Sequence, residues 1–304
     1  MLAFVVISHR DPEQVLRLVR ALREDGRTTV AVRHDQRRST LDARDVEAAG
    51  GSSIHDGHEV GWGDLAFAWM VLDALQSTAR ASGAEWVVTL SGQDYPLRPA
   101  DHLRRHLAAS EHQALLYDSW PLDLGAPPAP PKDEFYRRYR YRHYPMGHRP
   151  AQLVGRVLGS LAYQRSMPDG TPDLVGLRPP RHPFGPALRC HVSSDWLMVN
   201  RQAIESLARF ARDRPAVMRH YARTAIASES FFATALANDP AISVGHAPRA
   251  IRFQPGAAHP DTYGEDDVPE LLASGDYLAR KFDERVAPGV LDRIDQARRG
   301  TQTA

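Results

Sequence analysis

The chain has 304 residues, 42% of them hydrophobic and 25% charged, with a formal net charge of +1. That composition suits a globular protein with a sizeable core, built as one large domain or two intimate halves. It offers no global basic field for nucleic acid or an acidic membrane, and a single cysteine, Cys190, excludes an internal disulfide framework and any multi-cysteine metal site.

LAFVVIS (2–8) predicts a strand. The apolar start lacks a basic flank and is too short for a signal peptide or a membrane span, and no later stretch approaches the roughly 20 apolar residues a span needs. A cytoplasmic protein is expected. Asp11-Pro12-Glu13 then supplies a helix N-cap, an N1 proline and an early acidic residue. Val15, Leu18, Val19 and Leu22 follow at helical spacing. TTVAV (28–32) predicts a second strand, and Ser39 is placed to cap a short helix before SSI (52–54). Residues 64–81 form a largely apolar helix, VVTL (87–90) a strand, 99–107 a helix and QALLYD (113–118) a strand. This alternation predicts an α/β fold: a Rossmann-like, mostly parallel sheet with helices on both faces.

Composition shifts at 120–187, where proline- and glycine-rich stretches surround FYRRYRYRHYP (135–145) and a short helix at 151–164. RCHVSSDWLMVN (189–200) then reads as strand-like, followed by helices near 201–212 and 228–238, a strand at AIRF (250–253) and SGDYLARKF (274–282). The chain therefore divides into residues 1–119, an irregular excursion at 120–187, and a second ordered block at 188–304, read together as one continuous domain.

In an open parallel sheet, ligands bind beyond the carboxyl ends of the strands. Ser8-His9-Arg10, His34-Asp35 and Ser91–Arg98 follow three separate strands, so their polar side chains are delivered to one edge. Phosphate-loop and dinucleotide signatures are absent, as is a G-x-S-x-G elbow. G-W-G (61–63) opens a helix whose N–H groups can meet an anion. His102 and His106, at i and i+4, read as a solvated helix face. No D-x-D follows a strand. Of the 38 basic residues, 36 are arginine and only Lys132 and Lys281 are lysine. Such arginine-rich, alanine-rich usage fits codon bias, and a position that stayed lysine against it raises the question whether an ammonium is needed there.

EVGWGDLAFAWMVLDAL (59–75), LSGQDYPLRP (90–99), SSDWLMVN (193–200), ASESFFATAL (227–236) and LARKFD (278–283) occur in this order. Together they resemble the core-2/I-branching β-1,6-N-acetylglucosaminyltransferases and peptide O-xylosyltransferases of glycosyltransferase family 14, as a bacterial-type member. The resemblance spans nearly all of the chain outside about 120–185. It implies a GT-A-like fold, a UDP-sugar co-substrate, inversion at the anomeric carbon, and no cofactor or metal. Glu229 matches the family's catalytic base, and Asp195-Trp196 an acceptor-side segment whose acid orients the attacking hydroxyl. Arg249 and Lys281, with Arg280 adjacent, match the basic residues that meet the diphosphate. His9 and Asp35 fall where the family holds uridine, although VRHDQR (32–37) stands where the family usually has V-H-V-D-x-[KR]. Asp94 belongs to the sugar and acceptor edge.

Bland roles stand beside these: Ser228-Glu229 can simply begin a helix, Arg249 can be a surface arginine, and Trp62 and Trp196 can stack on a ligand or pack in the core. The expected activity is inverting, metal-independent transfer of GlcNAc or xylose from UDP to a hydroxyl of a glycan, peptide or small molecule. The alternatives are a UDP-sugar hydrolase and a non-catalytic nucleotide-sugar-binding protein. No nucleic-acid partner is expected, and FYRRYRYRHYP reads as acceptor binding or a solvated loop.

Overall fold

The structure is a computed structural model that describes residues 1–61, 63–125, 133–165, 173–254, 257 and 259–302. Trp62 and Lys132 lie outside the described residues. The first segment runs β1 (Leu2–Ser8), α1 (Pro12–Arg23), β2 (Thr28–His34), α2 (Ala43–Ala48), β3 (Ser52–Ser53), α3 (Leu65–Ser82), β4 (Trp86–Ser91), β5 (Asp94–Pro96), α4 (Ala100–Ala108) and β6 (Ala114–Leu116). The excursion contributes β7 (Trp120–Leu122), α5 (Asp133–Arg140), β8 (Arg142–Met146), α6 (His148–Leu158), β9 (Ala162–Arg165) and β10 (Asp173–Leu177). Then come β11 (Cys190–Val192), β12 (Leu197–Asn200), α7 (Arg201–Asp213), α8 (Pro215–Tyr221), α9 (Ser228–Ala237), β13 (Val244–His246), β14 (Arg249–Ile251), α10 (Val268–Ala273), β15 (Leu278–Arg280) and α11 (Val290–Gln302).

Seven strands form the central sheet in the order β13-β6-β12-β4-β1-β2-β3. All are parallel except β12, which runs against both β4 and β6. Side-chain alternation along β1 explains the layering. Ala3 and Val5 enter one buried cluster with α3, α7, α8 and α9, while Leu2, Phe4 and Val6 enter another with α1, α4, α10 and α11. The expected architecture is therefore the observed one, an α/β sheet covered by helices on both faces. β12 and β13, from the last segment, complete the sheet begun by the first. No helix among the described residues is long and apolar enough to cross a membrane.

Several local expectations need correction. Asp11 sits at the N-cap of α1, but in the left-handed region (φ 52°) and without a side-chain cap bond. Its carboxylate instead meets Arg285 at 3.1 Å, so a long-range ion pair outcompetes the local cap. Ser39 does not cap α2; Asp42 does, accepting from the Arg44 N–H at 2.8 Å. Ser39 Oγ is committed to His34 and to the carbonyl of His9. The strand-like run at 189–200 is two strands in two sheets, with β11 pairing β7 and β12 entering the main sheet. The excursion is more ordered than expected: β8-β10-β9 form an antiparallel sheet that packs against α6.

Candidate functional site

Register brings the strand ends together. Ser8 pairs with His34, and Ile7 with Ser91, so the ends of β1, β2 and β4 lie side by side. Because β12 is antiparallel, the residues before it, Asp195 and Trp196, arrive at this same edge. The junction is fixed by Thr89 Oγ1, which accepts from the Leu197 N–H at 2.7 Å. The Ser91-Gly92 break has a steric cause. A Cβ on Gly92 would lie 2.9 Å from Ser8 Cβ and 3.0 Å from Val15 Cγ2, so only glycine lets the chain pass so close.

Beyond Gly92, β5 leaves the main sheet and joins a small one in the order β14-β15-β5, with Asp94 opposite Arg280. Asp94 accepts from the Ser91 N–H at 2.7 Å and from Arg249 Nη1 at 2.5 Å. Arg249 Nη2 also donates to the Thr89 carbonyl at 2.9 Å. Neither the Asp94 nor the Arg249 side chain has any exposed surface. This corrects the direct ligand contacts expected of both: the guanidinium is the buried counter-ion of Asp94, and the pair braces the edge from beneath. Arg280 is the outward-facing cation. It bonds Ser91 Oγ, lies 3.5 Å from Asp94 Oδ2, and stacks 4.9 Å from the ring centre of Trp196.

Lys281 follows directly and is half-buried. Burial and the nearby charges of Arg10 and Arg280 push its ammonium below the ordinary lysine range. No hydrogen bond or salt bridge to that ammonium is found among the described residues. Arg10 is tied to Asp283 at 2.9 Å. His9 is exposed, and partial burial with Arg10 and Arg38 lowers its pKa. Asp35 is already engaged: Arg37 grips both carboxylate oxygens at 2.9 Å, holding its pKa down at about 2. A nucleobase here would therefore meet the Asp35–Arg37 pair rather than a lone carboxylate.

Asp195 and Glu229 form the acidic centre. Glu229 lies in the first turn of α9, and its carbonyl accepts from the Ser193 N–H at 2.7 Å, tying α9 to the segment before β12. Burial, with the neighbouring Asp195 charge next, pushes the Glu229 carboxyl up to about 7. Burial also raises Asp195, whose Oδ1 is enclosed without a hydrogen-bond partner. Arg138 on α5, a residue the sequence did not single out, donates to Glu229 Oε2 at 2.6 Å. Its one sequence signal is Glu134 four residues earlier, to which it is also bonded at 2.7 Å.

The structure thus joins Asp94, Arg249, Arg280 and Trp196 through contacts, and Asp195 to Glu229 and Arg280 through charge. Lys281 joins this group through the charge of Arg280, and the charge of Arg10 acts on both Lys281 and His9. Two concavities, of about 490 and 350 Å³, are lined by His182–Leu188 with Asp213–Val217 and by residues at the opposite sheet edge, and include none of these side chains. The site is an open edge between strand ends.

No family model matches the sequence and no curated protein matches it, so the branching-enzyme resemblance rests on the quoted motifs alone. Solved structures to which the chain is similar include mouse xyloside xylosyltransferase 1 in its apo form, with a TM-score of 0.36 and 6% identity, covering 82% of this chain and 88% of that one. A putative glucose-1-phosphate thymidylyltransferase from Bacillus anthracis, in complex with a sucrose, gives 0.31 and 7% over 68% and 75%. HddC from Yersinia pseudotuberculosis, complexed with GMP-PN, gives 0.28 and 10% over 67% and 79%. Likenesses at these scores are too weak to argue from, and the functional reading is built on the site.

Proposed function

We propose that this chain is a GT-A-like, inverting glycosyltransferase that moves GlcNAc or xylose from a UDP-sugar to an acceptor hydroxyl, with Glu229 as general base and without a metal. The observation that carries the reading is the acid pair. Glu229, its carboxyl pushed up to about 7 by burial and Asp195, and Asp195, which feels the charge of Arg280, stand at the ligand edge of an open α/β sheet. A base of that pKa is half-ionised near pH 7 and can remove the acceptor proton as the hydroxyl attacks the anomeric carbon in line. Asp195 would orient that hydroxyl. The bond to UDP breaks with its electron pair passing to the diphosphate oxygen, where Arg280 and Lys281 would supply the fixed charge that stabilises it. Arg249 serves this step indirectly, by fixing Asp94 and hence Ser91 and Arg280. His9 and the outer side of the Asp35–Arg37 pair are the contacts proposed for uracil, and Trp196 for a sugar face.

UDP release from UDP-GlcNAc and UDP-xylose, in excess chelator and with an acceptor library, tests the reading. Turnover that depends on the acceptor and survives chelation is expected, with mass spectrometry locating the transferred sugar. Acceptor-independent release would make the chain a hydrolase. UDP binding with no turnover of either donor would leave a nucleotide-sugar-binding protein.

Lys281→Met separates a ligand contact from a structural one. A hydrogen bond to a charged group contributes about 1.5–3 kcal/mol, so UDP affinity measured by calorimetry should fall by about tenfold to a hundredfold. Thermal stability should hold, because the substitution removes a cation crowded by Arg10 and Arg280. Unchanged UDP affinity would remove Lys281 from the site.

A further inference from the structure

Arg138 lies in the segment least legible from sequence, yet it makes the closest polar contact of Glu229. We propose that Arg138 is the positioning residue that fixes Glu229 and sets the pH at which it can take the acceptor proton, an inference that rests on the reading of Glu229 as the base.

The guanidinium is held from several sides. Nη1 donates to Glu229 Oε2 at 2.6 Å, while Nη2 and Nε both donate to Glu134 Oε1, at 2.7 and 3.1 Å. Its centre lies 5.0 Å from the ring centre of Phe135, and only 13% of the side chain is exposed. The helix beneath is anchored too. The next residue, Tyr139, is fully buried, and its hydroxyl donates to the Ile226 carbonyl at 2.8 Å, just before α9 begins. The Tyr139 carbonyl accepts from His220 Nε2 at 2.8 Å and from His182 Nε2 at 3.0 Å. The helix that carries Arg138 is thereby fixed against the start of α9, and the bonds to Glu134 orient the guanidinium toward Glu229. Among the described residues no hydrogen bond reaches Glu229 Oε1. One carboxylate oxygen is clamped and the other is left for a proton.

The groups that face Glu229 are Asp195 from the segment before β12, and Arg138, Glu134 and Tyr139 from α5; behind Asp195 stands Arg280 from β15. Burial, Asp195 and Glu134 favour the protonated acid, and Arg138 opposes them. The sign follows. A general base works only when ionised, so losing the Arg138 charge moves its ionisation, and the acid limb of activity, to higher pH.

The test reads Glu229 directly, by carboxyl ¹³C NMR titration of the full chain, with its resonance identified by its loss in Glu229→Gln. In Arg138→Gln and Arg138→Met the midpoint should rise by at least about one pH unit, and Arg138→Lys should restore most of it. The acid limb of UDP release from UDP-GlcNAc or UDP-xylose should shift by the same amount. A merely structural arginine would lower the melting temperature without moving the midpoint. An unmoved midpoint in whichever of the Gln and Met variants keeps the wild-type near-UV spectrum overturns the proposal. If neither donor is turned over, the transferase reading fails, while the titration still decides the role of Arg138.

Discussion

Glu229→Gln should cut turnover by about 10²–10⁴-fold, the usual worth of general-base catalysis, while UDP affinity stays within about twofold of wild type. Glutamine keeps the shape and can still accept a hydrogen bond from Arg138, but its amide cannot take the acceptor proton at working pH. The pH profile gives a second readout. Wild-type rate should rise with pH through the Glu229 ionisation near 7, and that limb should vanish in the variant. Steady-state kinetics with the preferred donor provide both measurements. Turnover close to wild type would transfer the role to Asp195, the other acid at this edge.

Arg249→Met is expected to have the largest effect on stability. Removing one partner of a buried ion pair typically costs about 3–5 kcal/mol, because the other charge remains enclosed. Asp94 would keep its Ser91 donors and a distant Arg280, which cannot replace a 2.5 Å contact from a guanidinium with no exposed surface. The melting temperature should fall by on the order of 10 °C. Asp94→Leu combined with Arg249→Met should be less damaging than the two single changes summed, since the double variant leaves no orphaned charge. Strict additivity in denaturant titrations would show that the two side chains are not coupled.

Sequence conveyed the α/β class because β1, β2 and β4 are buried almost throughout and read as apolar runs between helical patterns. Its failures came where distant partners decide. Asp11 looks like a cap until Arg285 arrives from the far end of the chain. Between 189 and 200 only Ser193-Ser194-Asp195 hints at a break, and there the chain leaves β11 and bends at Asp195, with Ser193 Oγ donating to the Tyr117 carbonyl at 2.7 Å and its N–H to that of Glu229. In the site, Lys281 stood out by its rarity and Glu229 and Asp195 by the motifs around them. Arg138 had no such contrast, since the chain has 36 arginines and this one lies in a tract of arginine and tyrosine. The burial of Arg249 was equally hidden, because PRAIRF carries no sign that its first arginine faces Asp94 rather than water.

The placement of β12 has a consequence for how the chain acquires its fold. β4 and β6 are not neighbours; Met198 of β12 pairs with Val88 on one side and Leu115 on the other. A nascent chain that has completed both flanking strands must therefore wait for roughly 80 further residues before the strand that joins them exists. Until then each presents an unpaired edge of backbone donors and acceptors, of the kind that recruits other chains. Closing the sheet is a late event of high contact order, and slow for that reason. The same strand carries Asp195 and Trp196 to the edge, while Glu229 of α9 and β13, which pairs with β6, come later still in the chain.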